Sequence, residues 1–229
     1  MKITDNKNKL KFQKMQIPKK IIKVGDIEIG KYPVIIAGPC AVESEEQLIE
    51  IAKKVKESGA HILRGGAYKP RSSPTSFQGL EDEGLKLLKI ASKITNMPII
   101  TEVMHDSKIE LIDKYSDIFQ VGSRSMQSFG LLKELAYFTR NSKKPILLKR
   151  GMNATLSELL NSAKYLMMHG NDNIILCLRG IRTFEQIEKN SMRFTPDLGS
   201  ILLLKEQTNL PIIFDPSHPA GSPKFIPKL

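Results

Sequence analysis

Residues 211–221 read Pro-Ile-Ile-Phe-Asp-Pro-Ser-His-Pro-Ala-Gly. The apolar run before Asp215 suits a parallel strand covered on both faces, and Pro216 and Pro219 forbid its continuation. The segment therefore predicts a buried strand whose C-terminal mouth presents Asp215 and His218. Upstream, from Tyr32 onward, short β-branched runs alternate with longer stretches of helical period, the pattern of βα units on a parallel sheet. Seven strands are predicted, at residues 34–37, 61–64, 98–102, 117–121, 145–149, 173–178 and 211–215. Between them, Ser44 with Gln47 and Thr155 with Glu158 form capping-box signals. These open the apolar stripes Leu48-Ile49-Ala52-Val55 and Leu156-Leu159-Leu160-Ala163. Ahead of the first unit, residues 21–24 and 27–29 flank Gly25-Asp26, a two-residue hairpin turn. The sum is an α/β fold, a TIM (β/α)₈-type barrel with an N-terminal β-hairpin and its eighth βα unit missing.

Composition narrows the function. A chain of 229 residues can bury one sizeable core. The net charge of +11 is unevenly placed, because residues 1–20 hold seven Lys and only Asp5, leaving the body at +5. The organisation expected is a Lys-rich tail at 1–20 followed by a barrel domain at 21–229, incomplete at its C-terminus. With 6% aromatic residues and no basic stripe, neither a nucleic acid nor a membrane is an expected partner. Two cysteines, no secretory leader and no apolar run long enough to span a bilayer point to a soluble, cytoplasmic protein.

The strand ends carry the chemistry. Reading from each strand into its following loop gives Cys40, then Arg64 with Lys69 and Arg71, Glu102, Arg124, Lys149-Arg150, Arg179, and Asp215 with His218. In a barrel of this type these ends converge on one face, where active sites lie. Any one of these arginines alone would also read as a solvated or structural residue. Taken together, Arg64, Lys69, Arg71, Arg124, Lys149 and Arg179 face only Glu102 and Asp215, so the ligand should be anionic. Small phosphorylated molecules are the simplest choice. Cys40 and His218 have two readings. Each alone fits a packed or hydrogen-bonded residue, but at one mouth they suit a divalent ion, although two donors fall short of the usual three or four. His61 opens a strand, His105 follows one, His169 complements a helix C-terminus, and Cys177 belongs to the core.

Six motifs, in order, resemble the 3-deoxy-D-arabino-heptulosonate 7-phosphate (DAHP) synthase family over about residues 20–221. They are Gly38-Pro39-Cys40-Ala41-Val42-Glu43-Ser44, Gly65-Gly66-Ala67-Tyr68-Lys69-Pro70-Arg71-Ser72-Ser73, Ser76-Phe77-Gln78-Gly79-Leu80, Leu148-Lys149-Arg150-Gly151, Arg179-Gly180-Ile181-Arg182-Thr183 and Asp215-Pro216-Ser217-His218-Pro219. The related 3-deoxy-D-manno-octulosonate 8-phosphate synthases carry an Ala-Asn-Arg type segment where this chain has Lys69-Pro70-Arg71. Ser72 stands where Thr is common, His105 where related chains often have Asp, and Leu178 where many have Glu.

The resemblance implies a metal-dependent, aldol-type condensation of phosphoenolpyruvate with erythrose 4-phosphate. This reaction releases phosphate and opens the shikimate pathway to chorismate and the aromatic amino acids. Carried over by position, Arg64, Lys69, Arg124, Lys149 and Arg179 would hold phosphoenolpyruvate, and Lys69, Arg71 and Ser72 the aldose phosphate. Cys40 and His218 would bind a divalent ion such as manganese, iron or zinc. Glu102 would position the attacking water, and Lys149, among cations, would carry a proton. A homo-oligomer is expected. The family completes its metal site with a Glu and an Asp from the eighth strand and the loop after it, whereas this sequence ends at Leu229. A C-terminally truncated chain is expected, binding metal poorly and turning over little. Its alternative role is that of an inactive phospho-ligand-binding or subunit-partner protein of the same family.

Overall fold

Strands built from Ile, Leu and Val pair in the order in which the chain presents them. The computed structural model describes residues 18–69, 75–184 and 192–229. An antiparallel hairpin, β1 (Ile22–Val24) and β2 (Ile27–Ile29), comes first and turns at Gly25, whose φ is +56°. Then follow β3 (Ile36–Ala37), β4 (Ile62–Arg64), β5 (Ile99–Val103), β6 (Ile118–Val121), β7 (Ile146–Lys149), β8 (Ile174–Leu178) and β9 (Ile212–Phe214). These seven form one parallel sheet in the order β3-β4-β5-β6-β7-β8-β9, curled as a TIM-type barrel wall with β3 and β9 at its edges.

The helices are α1 (Glu45–Glu57), α2 (Glu81–Thr95), α3 (Ile109–Tyr115), α4 (Phe129–Phe138), α5 (Leu156–Met168), α6 (Gly199–Gln207) and the single turn α7 (Ser217–Ala220). Both predicted caps form, with a difference. Thr155 and Glu158 make the full reciprocal box on α5, while at α1 Ser44 accepts from the Gln47 amide but the Gln47 side chain accepts from the amide of Glu43 instead. His169 caps α5, as its place before Gly170 predicts.

Two apolar layers explain why the strands read as nearly continuous hydrophobic runs. Outward side chains such as Leu63, Ile99, Phe119, Leu148 and Leu176 pack beneath the helices, against Leu48, Leu88, Leu135 and Leu166 among others. Inward ones, Ile62, Ile100, Ile118, Leu147 and Ile175, meet Ile22, Val24 and Ile29 of the hairpin, which plugs the N-terminal end. The predicted strand bounds hold to about a residue in most cases. Pro98, Pro145 and Pro211 stand just before their strands and lack an N–H, yet their carbonyls accept from Leu63, Phe119 and Leu176 at 2.9–3.0 Å.

The first strand is shorter than predicted, starting at Ile36 rather than Val34. The Ile35 amide donates to His61 Nδ1 at 3.1 Å, and an edge strand has a ladder partner on one side only. After α7 the chain forms a 3₁₀ segment (Pro223–Lys228), because Pro227 cannot donate along an α-helical ladder. Residues 1–17 of the predicted tail lie outside the described residues. Lys20 is fastened, its amide to Asn209 O at 2.9 Å and its Nζ to Asp172 at 2.5 Å. Among the described residues no helix is long and apolar enough to cross a membrane.

Candidate active site

Period two along each strand builds the site. Two residues beyond each inward apolar side chain comes an inward polar one: Arg64 after Ile62, Glu102 after Ile100, Gln120 after Ile118, Lys149 after Leu147, Asp215 after Ile213. On β8 the next inward position, two residues past Cys177, is Arg179. The same arithmetic turns Arg150 outward, where it bonds Ala154 O (2.8 Å), Asp197 (2.7 Å) and Ser200 (3.1 Å) and serves the wall rather than the mouth.

Asp215 is the hub. Its Oδ2 accepts from Lys149 Nζ at 2.6 Å and lies 2.5 Å from His218 Nδ1, while Oδ1 accepts the amides of Ser217 (3.0 Å) and His218 (3.2 Å). Burial alone would raise its pKa, but the His218 hydrogen bond and the Lys149 charge outweigh burial and hold the carboxyl well below the usual range. Lys149, expected among cations, therefore has an anion as its direct partner. With Nδ1 engaged by Asp215, Nε2 is the His218 nitrogen left to face Cys40, and the carboxylate fixes the ring.

Across the seam between β3 and β9, His218 comes near enough to Cys40 to favour its thiolate. That contact, helped by the charges of Arg64 and Lys69 against the opposing effect of burial, pulls the Cys40 thiol down to about 5. Lys69 Nζ donates to Cys40 Sγ at 3.3 Å, and Arg64 Nη1 to the carbonyls of Cys40 (3.2 Å) and Pro39 (3.4 Å). Burial and the neighbouring Arg64 lower the pKa of Lys69. Cys177, by contrast, is buried, and desolvation pushes its thiol up to about 11, as befits a core residue.

Cys40 and His218 are thus brought to one place, but among the described residues no group of three or more His, Cys, Asp or Glu side chains could hold a metal ion. Among the described residues the donors fall short of the three or four that a stable site uses. Glu102 is buried on β5 and accepts from Gln120 Nε2 at 2.9 Å. A Cβ on Gly122 would lie 1.9 Å from Glu102 Oε1, so a side chain there would have to displace the carboxylate from its bond with Gln120.

Arg179 is 4% exposed, and its Nε and Nη2 are buried without hydrogen-bond partners among the described residues. Burial, with Arg193 and Arg124 nearby, brings its pKa down to about 10 even though Asp215 opposes the shift. A buried guanidinium with unsatisfied donors is costly unless an anion completes it. Arg124 is exposed and near enough to Arg179 to act on it electrostatically. Arg71 and Ser72 lie outside the described residues. His105 is exposed at the head of a 3₁₀ turn, away from the hub's bonds. Asp215 as a shared partner and Gln120 as the Glu102 donor are additions that the sequence reading lacked. A lone Gln inside the run Ile118-Phe119-Gln120-Val121 was the available signal. A cleft of about 420 Å³ lies at the opposite end, near the β1–β2 turn, with Lys56, His61, Lys89 and Asp117 among its walls. It holds none of the buried unpaired polar atoms, and its Asp117 is engaged by the Ile99 amide.

Comparison with known proteins agrees with this geometry. Phospho-2-dehydro-3-deoxyheptonate aldolase of Thermotoga maritima is 44% identical over 202 residues, spanning 88% of this chain and 57% of its own. The 2-dehydro-3-deoxyphosphooctonate aldolase of Fusobacterium nucleatum is 32% identical over 211 residues, with 88% and 72% covered. The crystal structure of the Thermotoga enzyme superposes with a TM-score of 0.83 at 43% identity, covering 91% of this chain and 59% of that one. A truncated form of 3-deoxy-D-arabino-heptulosonate 7-phosphate synthase from Thermotoga maritima gives 0.80 at 40% identity, with 91% and 74% covered. The chain thus spans little more than half the length of its Thermotoga relative. The model of the DAHP synthetase I family matches residues 6–228, and this chain belongs to that family.

Proposed function

We propose that the mouth binds phosphoenolpyruvate and condenses it with erythrose 4-phosphate, giving DAHP and inorganic phosphate. The observation that carries this reading is Arg179, a buried guanidinium with unpaired donors facing a mouth lined by Arg64, Lys69, Arg124 and Lys149. Such a set suits the carboxylate and phosphate of one small molecule. In the reaction, C3 of the enol attacks the aldehyde carbon to form the new C–C bond. Water adds at C2, where positive charge develops, and the C2–O bond to phosphate breaks as phosphate leaves.

The chain's own residues position and neutralise. Arg64, Lys69, Arg124, Lys149 and Arg179 hold phosphoenolpyruvate, while Lys69, with Arg71 and Ser72, takes the aldose phosphate. Glu102, fixed by Gln120, orients the water on one face. Lys149, whose ammonium donates to Asp215 at 2.6 Å, is placed to give a proton to the aldehyde oxygen as it becomes an alkoxide. Cys40 and His218 are the described residues that would hold a divalent ion, which would supply Lewis-acid polarisation of the aldehyde oxygen. Assembly as a homo-oligomer in the cytoplasm is part of this proposal.

Phosphate release measured with both substrates tests it. Release should require phosphoenolpyruvate and the aldose together, and erythrose 4-phosphate should be preferred to arabinose 5-phosphate, because Lys69-Pro70-Arg71 follows the heptulosonate branch. Equal or reversed rates contradict the branch assignment. The two-donor metal set favours a second reading, a member of the family that binds phosphoenolpyruvate without turnover. Binding in the absence of any phosphate release, with metal in excess, would select it.

A further inference from the structure

The segment between β8 and β9 brings one residue to the mouth that neither strand carries. Phe194 is 2% exposed, and its ring centroid lies 4.3 Å from Arg179 Cζ. Arg193 lies over the same ring at 5.1 Å. The ring is held from several sides. Thr195 and Ile181 exchange backbone hydrogen bonds at 2.9 and 3.0 Å, an isolated antiparallel bridge at the end of β8. The amides of Arg193 and Phe194 both donate to Pro219 O, at 2.8 and 3.2 Å, which ties the segment to the turn carrying His218. Gly180, at φ +79°, permits this approach, since a Cβ there would lie 2.7 Å from Thr195 O and 3.3 Å from Phe194 Cβ.

Arg179, meanwhile, has Nε and Nη2 without hydrogen-bond partners among the described residues, so hydrogen bonds leave much of its guanidinium unconstrained. We infer that Phe194 is a positioning residue: its ring face holds the Arg179 guanidinium in the plane that receives the anionic substrate, and the shared Pro219 carbonyl couples that placement to the His218 turn. The guanidinium plane can rest on a π face while its N–H edges stay available for a ligand, which a hydrogen-bonding partner at the same place would not allow.

This inference rests on the reading of Arg179 as an anion-binding group, and the test separates the two. Phe194 is replaced in turn by mono-, di- and trifluorophenylalanine, which keep the shape of the ring and progressively remove its negative face. Phosphoenolpyruvate affinity, measured by calorimetry on the whole chain, should fall step by step, by roughly tenfold across the series. A flat series, with unsubstituted protein binding normally, overturns the inference. Should the unsubstituted protein bind no phosphoenolpyruvate, the anion-binding reading fails. The same series is then read from the Arg179 Nε–Hε resonance, whose solvent exchange quickens with each fluorine if the ring holds the guanidinium and stays constant if it does not. Phe194→Met keeps bulk without a π face and should match the trifluoro protein. A phosphoenolpyruvate affinity equal to that of the unsubstituted protein counts against the ring's role.

Discussion

The floor and the mouth of the barrel are built from the same strands, two residues apart, under opposite rules. At the floor, Ile62, Ile100, Ile118, Leu147 and Ile175 close on the hairpin residues Ile22, Val24 and Ile29, and the layer is apolar and buried. At the mouth, Arg64, Glu102, Lys149, Arg179 and Asp215 replace them on the same inward face. There Glu102, Lys149 and Arg179 are also buried, and Arg179 keeps donors unsatisfied. Burial stabilises the first layer, at about 25 cal/mol per Å² of apolar surface, and penalises the second. A sheet therefore needs no separate domain to carry a costly charged site, because one layer of side chains offsets the desolvation of the next.

The largest effect should come from importing the mouth's chemistry into the floor. Ile118→Asp buries a carboxylate among isoleucines and should cost on the order of 4 kcal/mol or abolish folding, read from the urea midpoint. Glu102→Gln, which removes a buried charge at the mouth and leaves the side chain's shape, should change stability by less than about 1 kcal/mol. Similar losses for the two would erase the distinction. A smaller effect is expected from splitting the mouth's own ion pair. Lys149→Met leaves the half-buried Asp215 carboxylate with His218 as its only charged-pair candidate among the described residues and should cost roughly 2 kcal/mol, whereas the double change Lys149→Met with Asp215→Asn should recover much of it. An unrecovered double variant would argue for a role of Lys149 beyond the pair.

The two thiols sharpen the contrast with the least disturbance. In metal-free protein the Cys40 thiol, lowered from 9.0 to about 5, is a thiolate above that pH and loses its reactivity as pH falls through it. Cys177, raised to about 11, stays protonated and enclosed. Iodoacetamide at neutral pH should label Cys40 alone, with a rate that halves near pH 5, and should reach Cys177 only after unfolding. Cys40 labelling that rises only above pH 8 would remove the influence of His218 on the thiol from the picture.

Much of this was legible in the sequence because period and punctuation are local. Seven runs of β-branched residues, most of them entered through Pro or Asp, gave the sheet and its order. The convergence of strand ends then gave the mouth and its cations. What was not legible depended on contacts far apart in the chain. The Lys149–Asp215 pair joins positions 66 residues apart, and the Cys40–His218 meeting depends on how far the sheet curls, which no single segment encodes. Arg150 is readable too, since alternation from inward Lys149 places it outward. Phe194 gave no signal, since one aromatic in an irregular segment has no period to announce it. Arg71 and Ser72 lie beyond the described residues and stay with the resemblance alone.

Arg179→Met tests the central claim, that the mouth holds a buried guanidinium with unsatisfied donors for an anionic substrate at the expense of the fold. Phosphoenolpyruvate titrated into the unsubstituted chain should bind, and into the Met variant should not. The same variant should unfold at an equal or higher urea concentration, gaining up to about 1 kcal/mol as a buried, unpaired charge is removed. Undiminished binding by the variant, or a loss of stability comparable to that of a floor substitution, would contradict the account.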